Sequence, residues 1–139
     1  MLLTMKSQVL SVKQMQHLQE LGVDTSKAKM CWCKFNDNLF VMPISETNIG
    51  QGVWEMTTTF ALQDMLEMMP KTILFNEDVY HFEMLKGNER YTICYGRVND
   101  DNELAYCVII TEPNILTCAY EALCWLAENN YIGGKNENK

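Results

Sequence analysis

Basic residues, histidines and long apolar runs are all scarce in this chain, and each scarcity excludes something. No apolar stretch approaches the ~20 residues a helix needs to cross a bilayer, so no membrane partner is expected. Met1 to Lys6 lack the apolar core and small-residue cleavage site of a secretory signal, which points to the cytoplasm. Eleven Lys and Arg stand against eighteen Asp and Glu, for a net charge of −7. The basic residues gather only at Lys27, Lys29 and Lys34, too sparsely to hold a phosphate backbone, so no nucleic-acid partner is expected. The acidic residues are scattered too, which favours a solubilising charge over mimicry of nucleic acid. Two histidines offer little for a metal centre. No G-x-G-x-x-G, P-loop or G-x-S-x-G occurs, and no cofactor is expected.

What is present describes a globular protein. Hydrophobic residues make up 47% of the 139 and charged residues 21%. A chain this long buries roughly two-thirds of its unfolded surface and needs no metal or disulfide to fold. The six cysteines, Cys31, Cys33, Cys94, Cys107, Cys118 and Cys124, all fall among apolar neighbours in segments with strand or helix patterns. Buried free thiols fit this placement better than a disulfide framework.

The first element is a helix over about Val12–Leu21. Ser11 and Gln14 form a capping box, and Gly22 suits the left-handed position beyond the end. A hairpin follows, with strands at Met30–Phe35 and Leu39–Met42 around Asn36-Asp37-Asn38. Ile44 to Thr59 is the least regular stretch, with a short edge strand at Val53–Thr57. A second helix spans about Phe60–Met69 and is stopped by Pro70; its wheel sets Gln63, Asp64 and Glu67 on the wet side. A three-strand meander follows at Val79–Lys86, Tyr91–Val98 and Glu103–Thr111. In its third strand Leu104, Tyr106, Val108 and Ile110 alternate with Ala105, Cys107 and Ile109, so both faces are apolar and the strand should be covered on both sides. A last helix runs from about Ile115 to Asn130. The order α-β-β-α-β-β-β-α predicts an α+β fold: an antiparallel sheet, hairpin plus meander, packed against about three helices. It forms a single domain over residues 1–132, with 133–139 as a disordered tail.

Three segments, Val9–Asp24, Thr59–Pro70 and Ala119–Trp125, resemble a group of uncharacterised proteins from gut Bacteroidetes, often found in phage-like or mobile genetic regions. The resemblance implies a bacterial or phage setting. It carries no known activity and assigns no functional residue.

Candidate sites come from residue chemistry alone. Cys31 and Cys33 form a C-x-C whose thiols share one strand face and could hold a soft metal, but two more ligands are missing. Two buried thiols flanking Trp32 is the favoured reading. His81 and Glu83 share a face of the meander, and Cys94 could complete a thiol–imidazole–carboxylate set. A solvated strand face with a cross-strand pair is the plainer reading. Asp100-Asp101 lacks the glycine and distal glutamate of a calcium loop. Trp54, on the irregular segment, could anchor a partner. The last helix has a thin polar wedge, with Cys118, Ala122 and Trp125 on one flank and Tyr120, Cys124 and Tyr131 on the other. One sheet cannot cover both flanks, so either the first helix does so or a second chain forms a homodimer through Trp125.

The leading expectation is a non-enzymatic protein–protein interaction protein of bacterial or phage origin. The alternatives are a small thiol-dependent enzyme using Cys94 with His81, or a small-molecule binding module with an apolar pocket between the sheet and the Met-rich second helix. Thiol titration under denaturing, non-reducing conditions should count six free groups, and two or fewer would overturn the cytoplasmic assignment.

Overall fold

The computed structural model describes residues 8–35, 37–46 and 55–132. Ser11 caps the first helix, α1 (Val12–Glu20), in the expected box. Its hydroxyl accepts from the Gln14 N–H at 3.1 Å, and the Gln14 side chain accepts from the Ser11 N–H at 2.9 Å. Gly22 follows with a φ of 91°. Met15 and Leu18 form the buried stripe of α1.

Strands β1 (Met30–Phe35) and β2 (Asn38–Pro43) form the expected hairpin, with Asp37 in the left-handed region at its turn. A single 3-10 turn, Ile44–Glu46, follows β2. Strand β3 (Glu55–Thr59) then pairs with the other edge of β1, so the first sheet has the order β2-β1-β3. Three hydrogen bonds stitch it to the segment before α1. The Leu10 N–H donates to the Phe60 carbonyl at 3.0 Å, while the Leu10 carbonyl accepts from Trp32 Nε1 at 2.7 Å and from the Thr59 hydroxyl at 2.6 Å. A buried polar side chain such as Thr59 needs such a partner.

Helix α2 (Leu62–Met68) is short, and Asp64 departs from its expected wet position. It is buried because its carboxylate turns back to accept the Ala61 N–H at 2.9 Å, satisfying a donor the helix start leaves open. After Pro70 the chain forms strand β4 (Thr72–Phe75), an addition to the expected meander. It joins strand β5 (Asp78–Lys86) through Asn76 and Glu77, both at positive φ, as a two-residue hairpin turn requires. Strands β6 (Tyr91–Val98) and β7 (Leu104–Glu112) complete an antiparallel sheet in the order β4-β5-β6-β7. The turn at Asn99–Asn102 is organised by Asn99, whose side-chain oxygen accepts from the Asp101 and Glu103 N–H groups, both at 2.9 Å.

A β-bulge corrects the expected faces of β7. Tyr95 pairs with Val108 but Gly96 pairs with Tyr106, leaving Cys107 as the extra residue. Alternation therefore breaks at Cys107–Val108. Ala105, Cys107, Val108 and Ile110 pack on the core, while Leu104, Tyr106 and Ile109 stand on the opposite face. Nothing among the described residues covers that face: Leu104 and Ile109 are 66% and 56% exposed.

Helix α3 (Ile115–Glu128), capped by the Asn114 side chain, lies over β6 and β7. The core is one continuous cluster joining α1, α2, α3 and the inner face of the four-stranded sheet. Tyr95 lies at its centre, 1% exposed, with its ring edge-on to Phe82 and its hydroxyl donating to the Pro70 carbonyl at 2.7 Å. Tyr95→Phe leaves that carbonyl without its donor and should cost about 1–2 kcal/mol, read as a lower urea midpoint at constant slope. An unchanged midpoint would show that the bond contributes nothing.

Candidate functional site

Pairing of β5 with β6 sets Cys94 opposite Glu83 and His81 opposite Gly96. The Cys94 thiol donates to Glu83 Oε1 at 3.7 Å. His81 sits one row away, exposed, with Thr72 of β4 on its other side, so it is not on a free strand edge. Burial pushes the Cys94 thiol up to about 11, and the Glu83 charge pushes in the same direction. A nucleophilic cysteine needs the opposite arrangement, a cationic neighbour that favours the thiolate. Here His81, Glu83 and Cys94 form a carboxylate-held thiol beside an imidazole, not a relay.

Cys31 and Cys33 do face the same way, with their sulfurs 3.4 Å apart. Both are buried, and Cys31 also contacts the Met42 carbonyl at 3.6 Å. Burial, then the neighbouring thiol, raises Cys31 to about 12. A metal would have to displace protons held this firmly. Among the described residues no cluster of three or more His, Cys, Asp or Glu could hold a metal ion.

Of the α3 residues expected at an interface, Cys118 and Ala122 are internal. Cys118 and Ala122 are 0% and 3% exposed within their own chain. The Cys118 thiol points at the sheet and reaches the Ile110 and Tyr91 carbonyls at 3.3 and 3.5 Å. Trp125 is half-buried and stacked on Tyr131, with centroids 5.6 Å apart, and the Tyr131 hydroxyl donates to the Leu74 carbonyl at 2.9 Å. On the other side, the His17 ring of α1 approaches Tyr120 at 6.3 Å. The segment after α3 packs on one flank and α1 approaches the other, while Tyr120, Cys124 and Trp125 stay partly exposed. Trp54 and the tail from residue 133 onward lie outside the described residues.

A cleft of about 570 Å³ beside α2 is bordered by Phe60, Met68 and Met69 but also by Asp24, Lys27 and Glu67. It is open and mixed in character, unlike the closed apolar pocket expected of a small-molecule binder.

The feature that residue patterns did not reveal is the outer face of the four-stranded sheet. Leu74 pairs with Val79, and Val98 with Leu104. The pairing of His81 with Gly96 sets Val79 beside Val98. One apolar row thus crosses all four strands, with its members between 49% and 66% exposed. Tyr106 and Ile109 continue the patch along β7, and Leu85 lies at the far end of β5. The Tyr106 ring lies over Gly96, where any Cβ would come within 2.7 Å of it. Glycine therefore leaves room for the ring. The signal available in the sequence was the apolar character of both faces of β7, which speaks equally for burial by the chain itself.

No helix among the described residues is long and apolar enough to cross a membrane. Compared with protein-family models, with curated proteins and with solved structures, the chain matches none.

The Cys94 environment has a measurable consequence. In the folded protein its alkylation by iodoacetamide at pH 7.5 should be far slower than that of a free thiol, and should rise only as pH approaches 11. Glu83→Gln removes the adjacent negative charge and should move the rise to lower pH. Rapid labelling of Cys94 with a midpoint near pH 7 would restore the enzyme reading.

Proposed function

We propose that this chain is a non-enzymatic protein–protein interaction protein of the bacterial or phage cytoplasm, docking through the outer face of its four-stranded sheet. The carrying observation is the exposed row Leu74, Val79, Val98 and Leu104, continued by Tyr106 and Ile109. Isolated exposed apolar residues are ordinary, but a contiguous patch of this kind marks a contact surface. One face of an antiparallel sheet commonly meets water, and then carries polar residues at alternate positions. Here those positions are largely apolar. The suppressed Cys94 thiol and the buried C-x-C favour this reading over a thiol enzyme. The bacterial or phage setting rests on the resemblance of Val9–Asp24, Thr59–Pro70 and Ala119–Trp125 alone.

A photo-cross-linking residue placed at Val98, expressed in a bacterial host, should yield a discrete cross-linked protein product. The same residue at exposed Lys13, on the wet side of α1, should not. A product at Lys13 with none at Val98 would move the docking surface elsewhere.

A further inference from the structure

We infer that the partner on the outer sheet face is a second copy of this chain, stacked face to face across a two-fold axis. The inference rests on the docking reading above and names its occupant.

Area is the first argument. Covering Leu74, Val79, Val98, Leu104, Tyr106 and Ile109 removes roughly 600 Å² of accessible surface from each copy. Two copies then bury about 1,200 Å², the lower bound of a stable specific interface, before Leu85, the threonines and His81 are counted. The second argument is charge. The chain carries −7, so two copies repel wherever carboxylates face one another. On this face β4 to β7 present Thr72 and Leu74, then Val79, His81, Glu83 and Leu85, then Thr92, Cys94, Gly96 and Val98, then Leu104, Tyr106, Ile109 and Thr111. Glu83 is the single carboxylate, and it is engaged by Cys94. Like can therefore approach like here without opposing charge. A basic partner would gain nothing on this surface that it would not gain more strongly elsewhere on so acidic a chain.

Shape is the third argument. Stacked sheets interdigitate their side chains across about 10 Å. The Tyr106 ring, lying over Gly96, fills the place a side chain would take there, so the centre of this face holds one ring where two side chains would stand. An isologous contact uses the same patch twice, so Leu, Val and Ile side chains meet their own kind across the axis.

Size exclusion with light scattering at tens of micromolar should give about twice the 16.1 kDa chain mass. Val98→Asp combined with Leu104→Asp should return it to the single-chain mass with an unchanged circular dichroism spectrum. If that double variant fails to fold, Leu74→Asp on β4 replaces it, with a drop of at least tenfold in dimer affinity expected. A wild-type chain that stays monomeric, or variants that fold and remain dimeric, would overturn the inference. A monomeric chain that still cross-links from Val98 to a different protein would overturn the second copy while sustaining the docking surface. A monomer with no cross-link at Val98 would remove both.

Discussion

Helix α3 can lie close on the inner face of the sheet because Ala119, Ala122 and Ala127 face the core and leave room for it. Close approach brings the Cys118 thiol to the carbonyls of Tyr91 and Ile110, one on each of the two strands beneath. It also seals Leu123 and Leu126 completely. The rest of the core packs around this contact. Met65 of α2 and Met15 and Leu18 of α1 fill the remaining sides, and Tyr131, just past α3, ties back to β4 through the Leu74 carbonyl. Each buried side chain of this size contributes roughly 1.5–3 kcal/mol, so the seam between α3 and the sheet carries much of the fold.

Sealing one side so completely leaves the other side of the sheet with nothing from the core to cover it. Both helices that could have crossed over, α1 and α2, are committed to the inner side. The small sheet of β1, β2 and β3 is committed to the segment around Leu10 through Trp32 and Thr59. Apolar residues on the outer face of β4 to β7 are therefore left without cover from the helices and the small sheet among the described residues. The thiols fit the same frame. Cys94, although on the outer face, is held beneath its neighbours at 1% exposure, and its proton is retained by burial and by Glu83.

Much of this was legible in the sequence wherever the cause is local. The Ser11–Gln14 box, Gly22, and the hairpin of β1 and β2 depend on a few consecutive residues. Strand β4 was hidden because it is four residues long and turns through Glu77 at positive φ, a residue that gives no turn signal. Asp64 misled because a carboxylate on a helix reads as wet, whereas at the third position it can serve the backbone instead. The α3 flanks are hard to read for a different reason: how far a surface is covered depends on where distant segments such as α1 and Tyr131 arrive. The same non-local dependence hid the outer face, since strict alternation along β7 cannot anticipate a one-residue slip opposite Tyr95 and Gly96.

That slip divides β7 into two halves whose facing is set from opposite ends of the strand. Before Cys107 the strand is in phase with the Asn99–Asn102 turn; after it, with the start of α3. A genetic lesion removing Cys107 would erase the offset and leave both halves facing as they do now, with Leu104, Tyr106 and Ile109 outward and Ala105, Val108 and Ile110 inward. A codon lost elsewhere in the strand turns over the residues between the lesion and Cys107: loss of Ala105 would drive Tyr106 inward against α3, and loss of Ile109 would drive Val108 outward into water. A codon lost from the turn at Asn99–Asn102 has no such effect on facing, because the turn can be rebuilt around another short loop. Among descendants of this chain, single-residue deletions should therefore be found at that turn and at Cys107, and be purged from the other positions of β7.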